Sequence, residues 1–223
     1  INKIATIRNA RGAETPSVTE AAIKIQEFGG QGITIHPRPD ERHITRKDVY
    51  DLKPLVYTEF NIEGNPHRPF IDMVLEVKPE QVTLVPDADD AITSNQGWDC
   101  EKNLDFLKSV IAEFKNAGIR TSIFLDPNPE MVKFAAETGT DRIELYTEAY
   151  ARNYETDKES AIKPYYETAL EATKYGLGIN AGHDLSLDNL KYFADNIPNL
   201  LEVSIGHALI SEALYLGLEN TIQ

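Results

Sequence analysis

The sequence predicts a (βα)8 barrel, a single domain over residues 1–223 with its site at the carboxyl ends of the strands. Three observations carry the prediction. Eight short apolar, β-branched runs alternate with stretches of helical period. Glycine stands shortly before several runs, as in Gly29-Gly30, Ala117-Gly118, Gly139 and Tyr175-Gly176, where a helix can end in the left-handed conformation. Four of the five histidines, His36, His43, His183 and His207, fall just past a run's end, joined by Glu63. In a parallel α/β protein those ends open on one face, so residues distant in sequence converge there.

The predicted strands cover residues 1–6, 32–36, 56–63, 81–86, 120–126, 142–147, 176–181 and 200–206. The predicted helices cover 17–28, 45–52, 66–77, 99–117, 129–137, 158–175, 186–196 and 208–219, several opened by a capping residue, as in Thr15-Pro16 and Ser186-Leu187-Asp188. A doubly wound open sheet is the rival fold. It would not need eight regular units, and no Gly-x-Gly-x-x-Gly follows the first strand. Gly64-Asn65-Pro66 and Asp126-Pro127-Asn128-Pro129 are short enough to be turns, so no linker divides the chain.

A chain of 223 residues, 41% hydrophobic, can bury one sizeable core. Its net charge of −14 repels nucleic acid and anionic membrane, so a small anionic substrate must be held by local arginines and backbone N–H groups. The single Cys100 excludes an intramolecular disulfide and a multi-cysteine metal site, which points to the cytoplasm. Neither an 18-residue apolar run nor a secretory pattern is present. The chain opens at Ile1 inside a predicted strand, so a short preceding piece is expected.

The loop His36-Pro37-Arg38-Pro39-Asp40-Glu41-Arg42-His43 combines imidazoles that titrate near neutrality with a guanidinium that can pair with phosphate. The plainer alternative is a solvated charge cluster. Glu63, at a strand end beside apolar neighbours, is suited to proton transfer by a raised pKa; alternatively it caps the next helix. Gly182 before His183 lets the backbone approach a ligand closely. Gly206 and His207 open the last helix, whose free N–H groups attract anions, although many such glycines bind nothing. Histidines with a glutamate could also hold zinc, but His36 and His43 lack the i, i+4 helical spacing. A Schiff-base aldolase would need a lysine at a later strand end, whereas only Lys3 lies on a predicted strand. Residues 87–97, polar and long, are the expected lid.

An ordered set of strings resembles one family over the whole chain: Ile4-Ala5-Thr6-Ile7-Arg8-Asn9-Ala10-Arg11-Gly12, His36-x-Arg38 with Arg42-His43-Ile44-Thr45, Asn61-Ile62-Glu63, Leu84-Val85-Pro86, Asn180-Ala181-Gly182-His183 and Ile205-Gly206-His207. The family is pyridoxine 5′-phosphate synthase. The resemblance implies condensation of 3-amino-2-oxopropyl phosphate with 1-deoxy-D-xylulose 5-phosphate, with no metal or organic cofactor, in a homo-octamer. It implies that His36 and Glu63 are general bases and His183 the general acid. It places Arg38, His43 and Thr93 on the deoxyxylulose phosphate with Asn2 and Lys3 nearby, and Arg11, Asp184, Gly206 and His207 on the aminoketone phosphate. The chain departs from the family pattern at Asn2-Lys3 (commonly Asp-His), Asp184 (commonly Gly), and Tyr146 and Glu148 (commonly His and Gly). The other functions the residues admit are a metal-independent phosphosugar isomerase or epimerase, and a non-catalytic barrel that binds a phosphorylated ligand.

Overall fold

Seven of the eight apolar runs form parallel strands that pair in chain order, and the first does not. The computed structural model describes residues 1–12, 14–87 and 94–223. The elements run α1 (Asn2–Asn9), α2 (Val18–Glu27), β1 (Gly32–Ile35), α3 (Arg46–Leu52), β2 (Glu59–Gly64), α4 (Arg68–Val77), β3 (Gln81–Leu84), α5 (Leu104–Asn116), β4 (Arg120–Leu125), α6 (Pro129–Glu137), β5 (Arg142–Tyr146), α7 (Glu148–Tyr154), α8 (Lys158–Lys174), β6 (Gly178–His183), α9 (Leu190–Asn196), β7 (Leu200–Ile205), α10 (His207–Leu216) and α11 (Leu218–Ile222). The neighbour order β1-β2-β3-β4-β5-β6-β7 excludes the doubly wound rival, whose strand order reverses part-way. The result is a nearly closed barrel with alternating helices. Among the described residues, β1 and β7 form no ladder, and Thr34 Oγ1 meets Ser204 Oγ across the seam at 3.3 Å.

Residues 1–6, expected as a strand, instead belong largely to α1, so Lys3 lies on a helix. A six-residue apolar run fits either period, and tertiary contacts decide it. The helix buries Ala5 and packs Ile1 and Ile4 on the core. Its last turn aims Arg8 and Asn9 at one target: Arg8 donates to both carboxylate oxygens of Asp48 at 2.5 and 2.8 Å and to His43 O at 3.0 Å, while Asn9 Nδ2 donates to His43 O at 2.9 Å. An extended chain would spread those two neighbouring side chains onto opposite faces. Asp48 also closes a capping box with Thr45 at the start of α3, so the loop that carries His36 to His43 is anchored from both sides.

The other boundaries follow their local signals. Ser17, Asn128 and Asp157 accept N-cap bonds at α2, α6 and α8, and positive φ at Gly118 and Gly176 turns the chain from helix into strand. His67, the fifth histidine, caps α4 by accepting from Phe70 N at 3.2 Å.

Strand side chains alternate, and the inward half is polar. Ile33, Ile35, Phe60, Ile62, Val82, Leu84, Ile123, Leu125, Ile143, Leu145 and Ile179 belong to the buried apolar core. Their strand neighbours meet across the barrel interior: Thr83 Oγ1 donates to Asn61 Oδ1 at 3.1 Å, and Asn61 Nδ2 to Thr34 Oγ1 at 3.4 Å. Nearer the strand starts, Arg142 bonds Glu202 at 2.7 Å and Asn180 at 3.1 Å, while Arg120 bonds Gln81 at 2.9 Å and pairs with Glu59.

This layer makes stability depend on pH. Burial first, then Glu59, pushes the Glu202 carboxyl from 4.5 up to about 7. A carboxyl raised by folding contributes fully below its unfolded value, and the contribution is lost as pH rises through the folded one. Glu202→Gln, which cannot ionise, is therefore expected to gain melting temperature relative to wild type between about pH 5 and pH 8. A gap that stays constant across that range would show that Arg142 fully compensates the charge.

Candidate active site

The C-terminal ends of the strands enclose a cavity of about 380 Å3. It is lined by His36 from the end of β1, Glu63 from β2, His183 from β6 and Gly206-His207 from the β7–α10 junction. Asn2, Lys3, Arg38, His43 and Asp184 also line it, so ten of the twelve residues named from sequence share one wall. Arg11 is exposed in the turn after α1 and is not among the lining residues. Thr93 lies outside the described residues, as does 88–93 of the expected lid; the flanking Asp87 and Ser94 are buried.

His36 stands between two carboxylates, with Nδ1 3.9 Å from Glu63 Oε2 and Nε2 4.0 Å from Asp87 Oδ2. Its backbone N–H donates to Asn2 Oδ1 at 2.9 Å, so Asn2 holds the end of β1. Burial, reinforced by Arg38 and His43, holds His36 well below the usual histidine value and leaves its imidazole neutral at neutral pH. His43 is lowered to about 4, again by burial first and then by Arg38 and Lys3. Its Nδ1 accepts from Ile44 N at 2.8 Å, which puts the proton of the neutral ring on Nε2. Both histidines can therefore take a proton or donate one hydrogen bond without carrying a standing charge.

Burial pushes Glu63 up to about 7, opposed by His183. Glu63 does not cap the following helix, since His67 does. Beneath it lies Glu144, inside β5 and 2% exposed, which the sequence reading missed. Burial, Glu63 and Glu202 raise its carboxyl well above the usual range, so at neutral pH it is a hydrogen-bond donor. Its Oε2 is buried and makes no hydrogen bond among the described residues, an orphaned atom at the cavity floor. Two carboxyls raised by burial, Glu63 to about 7 and Glu144 well above the usual range, thus face one cavity.

His183 adopts φ +97°, sparsely populated for a side-chain-bearing residue, and its Nδ1 meets Asp184 Oδ2 at 2.6 Å. Tyr146 packs edge-on against the ring, centroids 5.2 Å apart. Asp184 thus supplies a carboxylate that orients His183. Its backbone N–H is committed to Thr147 Oγ1 at 3.1 Å, so any contact of Asp184 with a substrate must come from the side chain. The close approach expected at Gly182 is to a protein group: a Cβ there would lie 2.4 Å from Glu144 Oε1. At Gly206 a Cβ would meet nothing within 4 Å, and the first turn of α10 faces an open part of the cavity. Among the described residues no group of three or more His, Cys, Asp or Glu is arranged to hold a metal.

Comparison with known proteins identifies the family and the fold. The family model described as "Pyridoxal phosphate biosynthesis protein PdxJ" matches residues 1–223. The chain belongs to this family. Among relatives, the pyridoxine 5′-phosphate synthase of Christiangramia forsetii is 66% identical over 223 residues, covering 100% of this chain and 94% of the relative. That of Bacteroides thetaiotaomicron is 63% identical with the same coverage. Among solved structures, the YdjI aldolase of Escherichia coli K12 superposes with a TM-score of 0.63 at 12% identity, covering 92% of this chain and 80% of that one, a likeness of fold alone. His36, Glu63 and His183 share the cavity wall with Asn2, Lys3 and Asp184, and Tyr146 packs against the His183 ring.

Proposed function

We propose that this chain joins 3-amino-2-oxopropyl phosphate to 1-deoxy-D-xylulose 5-phosphate, closing the pyridine ring of pyridoxine 5′-phosphate and releasing inorganic phosphate and water. The observation that carries the proposal is the convergence of His36, Glu63 and His183 on one cavity in a chain of the PdxJ family. The amine of one substrate and the ketone of the other form an imine with loss of water, a carbon–carbon bond from the deoxyxylulose part to the aminoketone carbonyl closes the ring, and the other steps are proton transfers and eliminations of phosphate and water. Such steps need positioned acids and bases. His36, neutral because it is buried, and Glu63, poised near neutrality, accept protons. His183, oriented by Asp184, returns one to a leaving oxygen. Glu144, held protonated, donates a hydrogen bond to charge developing over the cavity floor.

In this reading Arg38, His43 and Thr93 hold the deoxyxylulose phosphate, with Asn2 and Lys3 assisting. The Gly206-His207 helix start suits the aminoketone phosphate, whose contacts also include Asp184 and Arg11. Because Arg11 is exposed and off the cavity, its role requires an assembled site, and we place it in a homo-oligomer, an octamer as in the family. Each subunit of that assembly contributes one barrel, in the cytoplasm, acting without metal or organic cofactor. No helix of the described residues is long and apolar enough to cross a membrane.

The test is an anaerobic assay of chelator-treated protein with both substrates, following pyridoxine 5′-phosphate and phosphate. Equal amounts of the two products are expected. Phosphate released without the pyridine product, or no turnover by folded protein, would overturn the assignment.

A further inference from the structure

Arg38 reaches the cavity wall already engaged. Its Nη2 donates to Asp87 Oδ2 at 2.6 Å, and the two side chains are only 4% and 3% exposed. Ser94 Oγ donates to the same Oδ2 at 2.7 Å, and His36 Nε2 lies 4.0 Å from it. Asn65 Nδ2, in the turn after β2, donates to the main-chain carbonyl of Asp87 at 3.0 Å and fixes where its carboxylate stands. The other oxygen, Oδ1, is buried and makes no hydrogen bond among the described residues. The pair therefore has a built position and one unsatisfied acceptor.

A buried guanidinium without a counter-charge is costly, and a buried carboxylate beside an incoming phosphate is repelled by it. Both situations arise at Arg38 if that residue binds a phosphorylated substrate. We propose that Asp87 is a positioning residue that serves as a stand-in for the substrate phosphate, holding the Arg38 guanidinium at the cavity wall until the phosphate takes its place by exchange of partners. The proposal rests on the assignment of Arg38 to a substrate phosphate. It gives Asp87 two effects: Arg38 stays ordered in the empty site, and affinity for small anions is held down because each must displace an internal one.

The experiment measures binding of inorganic phosphate to the whole protein by calorimetry, together with KM and kcat for each substrate. Asp87→Asn keeps an oxygen for Arg38 and Ser94 and removes the charge. It is expected to bind phosphate about tenfold more tightly and to lower KM for 1-deoxy-D-xylulose 5-phosphate, with KM for the aminoketone phosphate unchanged. Asp87→Glu should return phosphate affinity to the wild-type value. Ser94→Ala should move affinity the other way, because a carboxylate that loses one donor holds Arg38 harder. Phosphate binding that is unchanged or weaker in Asp87→Asn would overturn the exchange and leave Asp87 a structural prop. Arg38→Ala separates the two failures. If it weakens phosphate binding while Asp87→Asn changes nothing, only the exchange is wrong. If it leaves phosphate binding and both KM values unaltered, Arg38 is no phosphate ligand and the underlying assignment falls with the proposal.

Discussion

Glu63→Gln is expected to lower kcat/KM by about a thousandfold while leaving the protein folded and, above neutral pH, more stable than wild type. The first half follows from position: Glu63 lines the cavity 3.9 Å from His36 Nδ1, and no other described carboxylate is equally close to that nitrogen and to the cavity. The second half follows from linkage. Burial raises Glu63 to about 7, so the folded chain prefers the protonated form, its contribution is lost as pH rises through about 7, and a glutamine avoids that loss. The two effects have opposite signs, which separates a lost base from a damaged fold. A base must be ionised, so wild-type activity should rise through about pH 7 on its acid limb, and the variant's residual activity should lack that limb. A variant that retains more than a tenth of the activity would remove Glu63 from the chemistry, and one that melts lower at about pH 8 would overturn the raised carboxyl.

The rim of the barrel was legible in the sequence because strand ends are marked by composition. A β-branched run that stops at His36, Glu63, His183 or Gly206 announces both the strand and the residue it delivers. The interior was less legible. Asn61, Thr83, Ser122, Glu144 and Asn180 are buried polar residues inside apolar runs; Asn61, Thr83 and Asn180 find partners on other strands, while Ser122 Oγ and Glu144 Oε2 have none among the described residues, so no local pattern shows where each stands. Glu144 was missed for that reason: in Arg142-Ile-Glu-Leu-Tyr146 it looks like the outward half of an alternating strand, and only closure of the sheet turns that half inward. The error at residues 1–6 has a similar origin. Arg8 and Asn9 are adjacent in the motif, yet both face the 36–45 loop, and that can be known only once the loop is placed. Asp87 hides differently. It looks like the first of several loop acids, and its ion pair with Arg38 spans 49 positions.

Gly182→Ala tests the link between interior and rim. The glycine lies in β6 between β5 and β7, and an added Cβ would stand 2.4 Å from Glu144 Oε1, 3.1 Å from Ser204 O and 3.2 Å from Ser204 Cβ. The two Ser204 contacts are tight but can relax by a few tenths of an ångström. The contact with Glu144 cannot remain, so that carboxyl must swing away in a place where it is 2% exposed. Overpacking of this kind costs about 1–3 kcal/mol. Displacing a hydrogen-bond donor by about 1 Å can cost up to a hundredfold in rate. The expected result is therefore a lower melting temperature together with a fall of about ten- to a hundredfold in kcat, and little change in KM for either phosphate. The double variant Gly182→Ala/Glu144→Asp supplies the decisive comparison. Shortening the acid by one methylene removes the clash, so stability should return toward wild type. The carboxyl would then fall short of the cavity, so kcat should stay low. Recovery of both properties together would mean that Glu144 only fills space. Recovery of stability alone would place its carboxyl among the groups that act on the bound substrates.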